Sequence, residues 1–262
     1  MTVHATSTPA DAASARHASI QMRFDAGRIV RFVAIFAAII WGLGLVRQVA
    51  FATGAIDSRA FGWEVISLDG EANLPSWFSG LLLFTISVTA LFLAKFARIA
   101  EPRNAAWWML LSAFFLLLSA DEIVGLHEAT VWPLHSIRTW TGPLLFAWVL
   151  WGVPLLALVG LLFVPLLARL PRATTLRLCI AATIGIAGAV GMEMIAGMVI
   201  DWRLDRDGYY AAAVALEEGG ELTGAVLFLR GLLLHIADST SRLTFDLRQA
   251  GSANVAGSSS RT

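Results

Sequence analysis

The sequence predicts an all-α polytopic membrane protein with six transmembrane helices and both termini cytoplasmic. Three observations carry that prediction. The 262-residue chain is 57% hydrophobic and 15% charged, with a mean hydropathy of +0.71, a balance that soluble domains of this size do not keep. It contains six apolar runs of about 20 residues, the length that covers ~30 Å of hydrocarbon. Its basic residues are segregated: thirteen of nineteen fall in segments that alternate spans bring to one side, and the positive-inside rule makes that side the cytoplasm.

Taken in order, residues 1–28 are polar and rich in Ala and Ser, with no apolar core of a cleavable leader. They predict a disordered cytoplasmic tail, with a short surface helix around Ile20 to Phe24. The membrane domain occupies 29–237, and its spans are expected at 30–52, 78–97, 105–125, 142–168, 179–200 and 209–236. Pro154 and Pro165 predict kinks in the fourth. Residues 238–262 turn polar and Gly/Ser-rich, a second loose tail. Trp63, Trp77, Trp132, Trp140 and Trp202 fall at the outer ends of spans, as an aromatic belt requires. This architecture predicts the inner membrane of a bacterium as the location. The lone cysteine, Cys179, excludes an intrachain disulfide framework, and the absence of a basic face excludes nucleic acid as a partner.

The acids follow the opposite rule. Fourteen of the nineteen lie in outer loops or outer halves of spans. Residues 119–129, SADEIVGLHEA, put Asp121, Glu122, His127 and Glu128 at the end of an apolar span, where each charge costs roughly 2.5–3.5 kcal/mol to insert and so marks a functional site. Asp121 on the third span, Glu193 on the fifth and Glu221 on the sixth stand at one level, ~22–24 Å above the cytoplasmic ends of their helices. If the third helix continues to Glu128, Asp121 and Glu128 share a face, while Glu122 and His127 point elsewhere. Should it end near Gly125, His127 and Glu128 become mouth residues. Glu217 and Glu221, four apart at the start of the sixth span, repel unless a cation or proton neutralises them. Glu193 has no charged neighbour for fifteen residues before it or seven after. The small residues around it, Gly185, Ala189, Ala196 and Gly197, form a face suited to close helix contact or to an oligomer.

In the loop before the second span, Asp69, Glu71 and Asn73 alternate like the opening of a calcium loop, without the glycine and the final glutamate of that motif. Asn73 or Ser76 also reads as a helix cap, with Pro75 in the first turn. No HxxxH, HExxH or ExxH pair occurs. The donor inventory is therefore oxygen-rich, and a bound divalent cation is expected to be Mg²⁺, Ca²⁺ or Mn²⁺ rather than Zn²⁺. Arg47 either pairs with the acids or snorkels outward, snorkelling being favoured. Trp41, Trp148 and Trp151 read as packing or lipid contacts.

The segments LDGEANLPSWFS, SADEIVGLHE and LEEGGELTGAVLFL resemble a group of uncharacterised bacterial multi-pass inner-membrane proteins over residues 65–235, a likeness that brings no activity with it. A looser likeness, through Asp69, Glu71 and Asn73, is to membrane hydrolases of the alkaline ceramidase type. Those resemble seven-helix proteins with a His-rich zinc site, and this chain has neither the seventh helix nor the clustered histidines.

Three functions fit this pattern. In the first, an outward-facing carboxylate and histidine cluster binds a divalent metal or protons for transport or sensing, with Asp69, Glu71, Asp121, Glu122, Glu128, Glu193, Glu217 and Glu221 as candidate ligands. In the second, the same metal activates water against a lipid-borne substrate, with His127 or Glu193 as base. In the third, the acids pair with a partner subunit. Transport needs an inner exit, and below Glu193 the fifth span offers only Cys179 and Thr183.

Overall fold

The computed structural model describes residues 19–21, 25–55, 62–204, 208–239 and 244–246. Capping chemistry sets where its helices begin. Helix α1 (Ala26–Ala52) starts at Asp25, whose carboxylate accepts from the Arg28 backbone N–H. Helix α2 (Leu74–Ala100) starts at Asn73 in a reciprocal capping box with Ser76, and Pro75 fills the first turn. The capping expectation for Asn73 is met. Helix α3 (Pro102–Val124) opens on a proline and stops at Gly125, which takes φ +65°, ψ 43°. A short helix α4 (Val131–Ile137), which hydropathy does not reveal, leads to α5 (Val149–Leu167), which carries Pro154 and Pro165 inside it. The predicted start of this span at Gly142 is instead a single 3-10 turn, Gly142–Leu144. Helix α6 (Arg172–Ile186) widens into a π-helical stretch (Ala187–Met192) and continues as α7 (Glu193–Asp201). Helix α8 (Tyr209–Ser239) is the longest and packs against α1, α2, α6 and α7.

Among the described residues, six helices are long and apolar enough to cross a membrane: Ala26–Phe51, Leu74–Ala100, Pro102–Val124, Val149–Leu167, Arg172–Asp201 and Tyr209–Ser239. The tails expected at 1–28 and 238–262 lie mostly outside the described residues. Within them, β1 (Ser19–Gln21) and β2 (Thr244–Asp246) pair antiparallel. Extended backbone thus replaces the surface helix expected from Ile20, its N–H and C=O groups satisfied across the ribbon; Met22 to Phe24 lie outside the described residues.

Helices α2 and α3 form an antiparallel hairpin. The Ser87 hydroxyl donates to the Ser112 carbonyl at 2.7 Å, and that of Ser119 to the Gly80 carbonyl at 2.7 Å. Small residues bring α6 close to α8: a Cβ added to Gly224 would stand 2.6 Å from the Gly185 Cα, and one on Gly188 2.8 Å from the Glu217 carbonyl. Gly197 faces the Gly142 carbonyl in the same way, and Ala196 is buried. Gly185, Ala196 and Gly197 of the small-residue face thus meet other segments of the same chain. The main core joins Ile86 and Ala90 of α2, Trp108 of α3, and Leu229 and Leu232 of α8, none more than 1% exposed. The acids gather at one end of this core.

Candidate functional site

The left-handed turn at Gly125 reverses the chain, so the continuous helix that would align Asp121 with Glu128 does not form. Instead His127 folds back onto Asp121. One carboxylate oxygen accepts the His127 backbone N–H at 2.9 Å, and the other lies 2.8 Å from ring Nδ1. In the neutral ring a carboxylate partner holds the proton on Nδ1, so that Nε2 is the nitrogen with the free electron pair. His127 is held from two further directions. The Thr130 hydroxyl donates to the His127 carbonyl at 2.7 Å and accepts from Trp151 Nε1 at 3.0 Å, while the Trp148 ring meets the imidazole edge-on, 4.9 Å between centroids.

Glu71, His127 and Glu128 each offer one ligand atom, and the three atoms lie within 4.8 Å of one another. Glu71 is delivered by a loop braced by the Ser67 hydroxyl on the Asp69 carbonyl (2.8 Å) and by the Asn73 amide on the Gly70 carbonyl (2.6 Å). Its carboxylate occupies the space a side chain at position 125 would fill. Gly125 thus serves twice, in the turn and in the close approach of Glu71. Burial first, then the charge of Glu128, pushes the Glu71 carboxyl up to about 7 against the pull of His127. Burial draws the His127 imidazole down, but the hydrogen bond and charge of Asp121, with Glu193 and Glu128, outweigh it and raise the ring to about 9.

The remaining acids form the wall behind. Glu193, 8% exposed, accepts from Trp148 Nε1 at 2.7 Å. It begins α7 directly after the π-helical stretch, a distortion frequent at functional sites, and Gly152 leaves room for the Trp148 indole. Glu122 lies against Ser79, with Glu218 and Glu221 of α8 nearby, and Glu217 neighbours Glu193, Glu221 and Asp69. The Asp69 carboxylate accepts from the Tyr210 hydroxyl at 2.9 Å. Among the described residues the Lys and Arg ion pairs are Arg28–Asp25, Arg47–Glu64 and Arg177–Asp238, so none of these basin acids has a basic partner. Arg47 turns to Glu64 and to the Trp63 carbonyl, both at 2.8 Å, instead of snorkelling.

Of the residues singled out by sequence, the structure joins Glu71, Glu128 and His127, puts Asp121 one step back on His127, and leaves Glu193 outside the trio on a hydrogen bond from Trp148. Trp148, Thr130 and Tyr210 hold the arrangement and carry no sequence signal beyond their type. Gly125 carries one, as a glycine at the end of an apolar run. Beside the trio lies a cavity of about 490 Å³, with Glu64, Asp69, Glu71, Asn73 and Trp77 in its walls.

No curated protein and no solved structure matches the chain. A family model described as a domain of unknown function, DUF8692, matches residues 30–236. That match runs from the second turn of α1 to the last turn of α8, and the chain belongs to the DUF8692 family.

Proposed function

We propose that the chain is a multi-pass protein of the bacterial inner membrane that binds a divalent cation at its outer face through Glu71, His127 and Glu128. The segregation of basic residues supports cytoplasmic termini and an outward-facing acidic end. One observation carries the metal reading: the Asp121–His127 contact at 2.8 Å, beside two further carboxylates within ligand range, has the form of a carboxylate-backed histidine ligand. Carboxylates grouped without Lys or Arg partners also need a cation or protons to be stable in one low-dielectric basin.

A fixed site fits better than a conducting one. Between the acids and the opposite end, Ile86, Ala90, Leu229 and Leu232 close the core with at most 1% exposure. Such a site serves sensing, or catalysis on a lipid-borne substrate. Catalysis is favoured by the cavity that shares Glu71 with the trio, because three protein ligands leave coordination positions for water or substrate.

The test is elemental analysis of the detergent-purified protein with melting curves in added divalent ions. A stoichiometric metal that disappears in Glu71→Gln and Glu128→Gln variants supports the site. Absence of any metal, together with no ion-dependent stabilisation, rules it out and leaves proton binding or partner pairing.

A further inference from the structure

By number alone, the acids of this basin suggest a hard, all-oxygen site for Mg²⁺ or Ca²⁺. The geometry points elsewhere: we infer that the Glu71–His127–Glu128 site selects a first-row transition-metal dication of the Mn²⁺-to-Zn²⁺ class over Mg²⁺ and Ca²⁺, with Asp121 as the residue that positions the imidazole. This selectivity rests on the metal-binding reading above and names the class of ion.

The donor set comes first. His127 contributes a nitrogen to a group whose three ligand atoms lie within 4.8 Å. Imidazole suits Zn²⁺, Fe²⁺ and their neighbours, whereas Ca²⁺ and Mg²⁺ take oxygen donors. The number of donors agrees. Ca²⁺ gathers six to eight oxygens, whereas the trio supplies two carboxylates and one nitrogen, and of the carboxylates around it Asp69 is engaged by Tyr210, Glu193 by Trp148 and Asp121 by His127. A nitrogen and two carboxylates make a three-ligand set of the size that catalytic transition-metal sites use, with further positions left to water or substrate.

Asp121 then has a defined role. Both its oxygens meet His127, one at 2.9 Å on the backbone N–H and the other at 2.8 Å on the ring. When a metal displaces the ring's second proton, Asp121 holds the remaining one on Nδ1 and raises the basicity of Nε2, the function of the carboxylate in carboxylate–histidine–metal triads. Thr130 ties down the His127 backbone carbonyl, and the Trp148 ring packs T-shaped against the imidazole.

The experiment titrates chelator-stripped, full-length protein in detergent with Mg²⁺, Ca²⁺, Mn²⁺ and Zn²⁺ separately, reading Kd by equilibrium dialysis and the shift in Tm. The expected order is Zn²⁺ tighter than Mn²⁺, and both tighter than Mg²⁺ and Ca²⁺. Asp121→Asn should weaken Mn²⁺ and Zn²⁺ by ~10–100-fold, as loss of an outer-shell partner does, and leave Mg²⁺ and Ca²⁺ unchanged. Mg²⁺ or Ca²⁺ binding as tightly as Mn²⁺ overturns the inference while the metal reading stands. Equal loss of all four ions in Asp121→Asn makes Asp121 a direct ligand and also overturns it. Zinc retained at full affinity in His127→Gln would show that the imidazole is not a ligand, and that result overturns it as well. If none of the four ions binds, the metal reading itself falls. The wild-type series decides the selectivity even if Asp121→Asn does not fold.

Discussion

The indole N–H of Trp148 donates to the carboxylate of Glu193 at 2.7 Å, and the same ring lies edge-on to His127. A residue at the entry to α5 thus links a buried acid of α7 to the imidazole of the candidate metal centre. Glu193 spends its hydrogen bond on Trp148 and is not one of the three grouped ligand residues.

That arrangement separates two substitutions. In Glu193→Gln the amide oxygen still accepts from Trp148, so the melting temperature should stay close to that of the wild type and metal affinity should not change. In Trp148→Phe the donor is gone while Glu193 stays buried, and a buried polar group left unpaired costs about 1–3 kcal/mol. Thermal denaturation in detergent reads the difference. Loss of metal in Glu193→Gln would move Glu193 into the ligand set.

Gly125 is the hinge of the site for two reasons that a pair of variants can divide. A Cβ in the left-handed region costs roughly 1–2 kcal/mol for most residues, but Asn visits that region routinely. Gly125→Asn therefore relieves most of the backbone strain and keeps the collision with the Glu71 carboxylate. Both Gly125→Ala and Gly125→Asn should lose metal affinity, and the alanine variant should also lose stability. An asparagine variant that binds metal like the wild type would show that the close approach of Glu71 is dispensable.

The α6–α8 crossing makes a similar contrast. Gly188, Gly220 and Gly224 meet backbone at 2.6–2.9 Å from an added Cβ, so Gly224→Leu forces the helices apart and should cost at least the ~1–3 kcal/mol of ordinary overpacking. Gly160 and Gly191 have nothing within 4 Å. Alanine at either position should be neutral or slightly stabilising, given its better helix propensity. Equal tolerance at Gly224 and Gly160, measured by melting, would contradict the tight crossing.

Much of this fold is legible in the residues, because hydropathy and capping are local. The six long helices follow from apolar run length, the start of α2 from Asn73, Pro75 and Ser76, and the clustering of Asp121, Glu193 and Glu221 from their common depth. What is not legible depends on where the backbone leaves regular geometry. A single glycine, Gly125, ends α3 and turns Asp121 from a neighbour of Glu128 into the partner of His127. The π-helical stretch before Glu193 changes the face on which that acid emerges, and no residue in AGAVGM announces it. Trp148 reads as packing from its type, since the acid it serves is 45 residues away.

The pH dependence of the metal-free protein follows from the two groups of the trio whose ionisation is displaced. His127 is raised from 6.5 to about 9, so the stability it contributes is complete below pH 6.5 and lost as pH rises through 9. Glu71 is raised from 4.5 to about 7. Folding favours its protonated form, and that contribution too is complete below pH 4.5 and lost as pH rises through 7. In both cases the folded chain holds more protons than the unfolded one, so stability falls with pH between roughly 4.5 and 9. A metal ion requires the deprotonated forms and reverses the trend, its affinity rising over the same interval as it displaces the protons. Melting curves from pH 5 to 9, with and without Mn²⁺, should therefore diverge as pH increases. Parallel curves would mean that the ion does not compete for these protons, and that Glu71 and His127 are not its ligands.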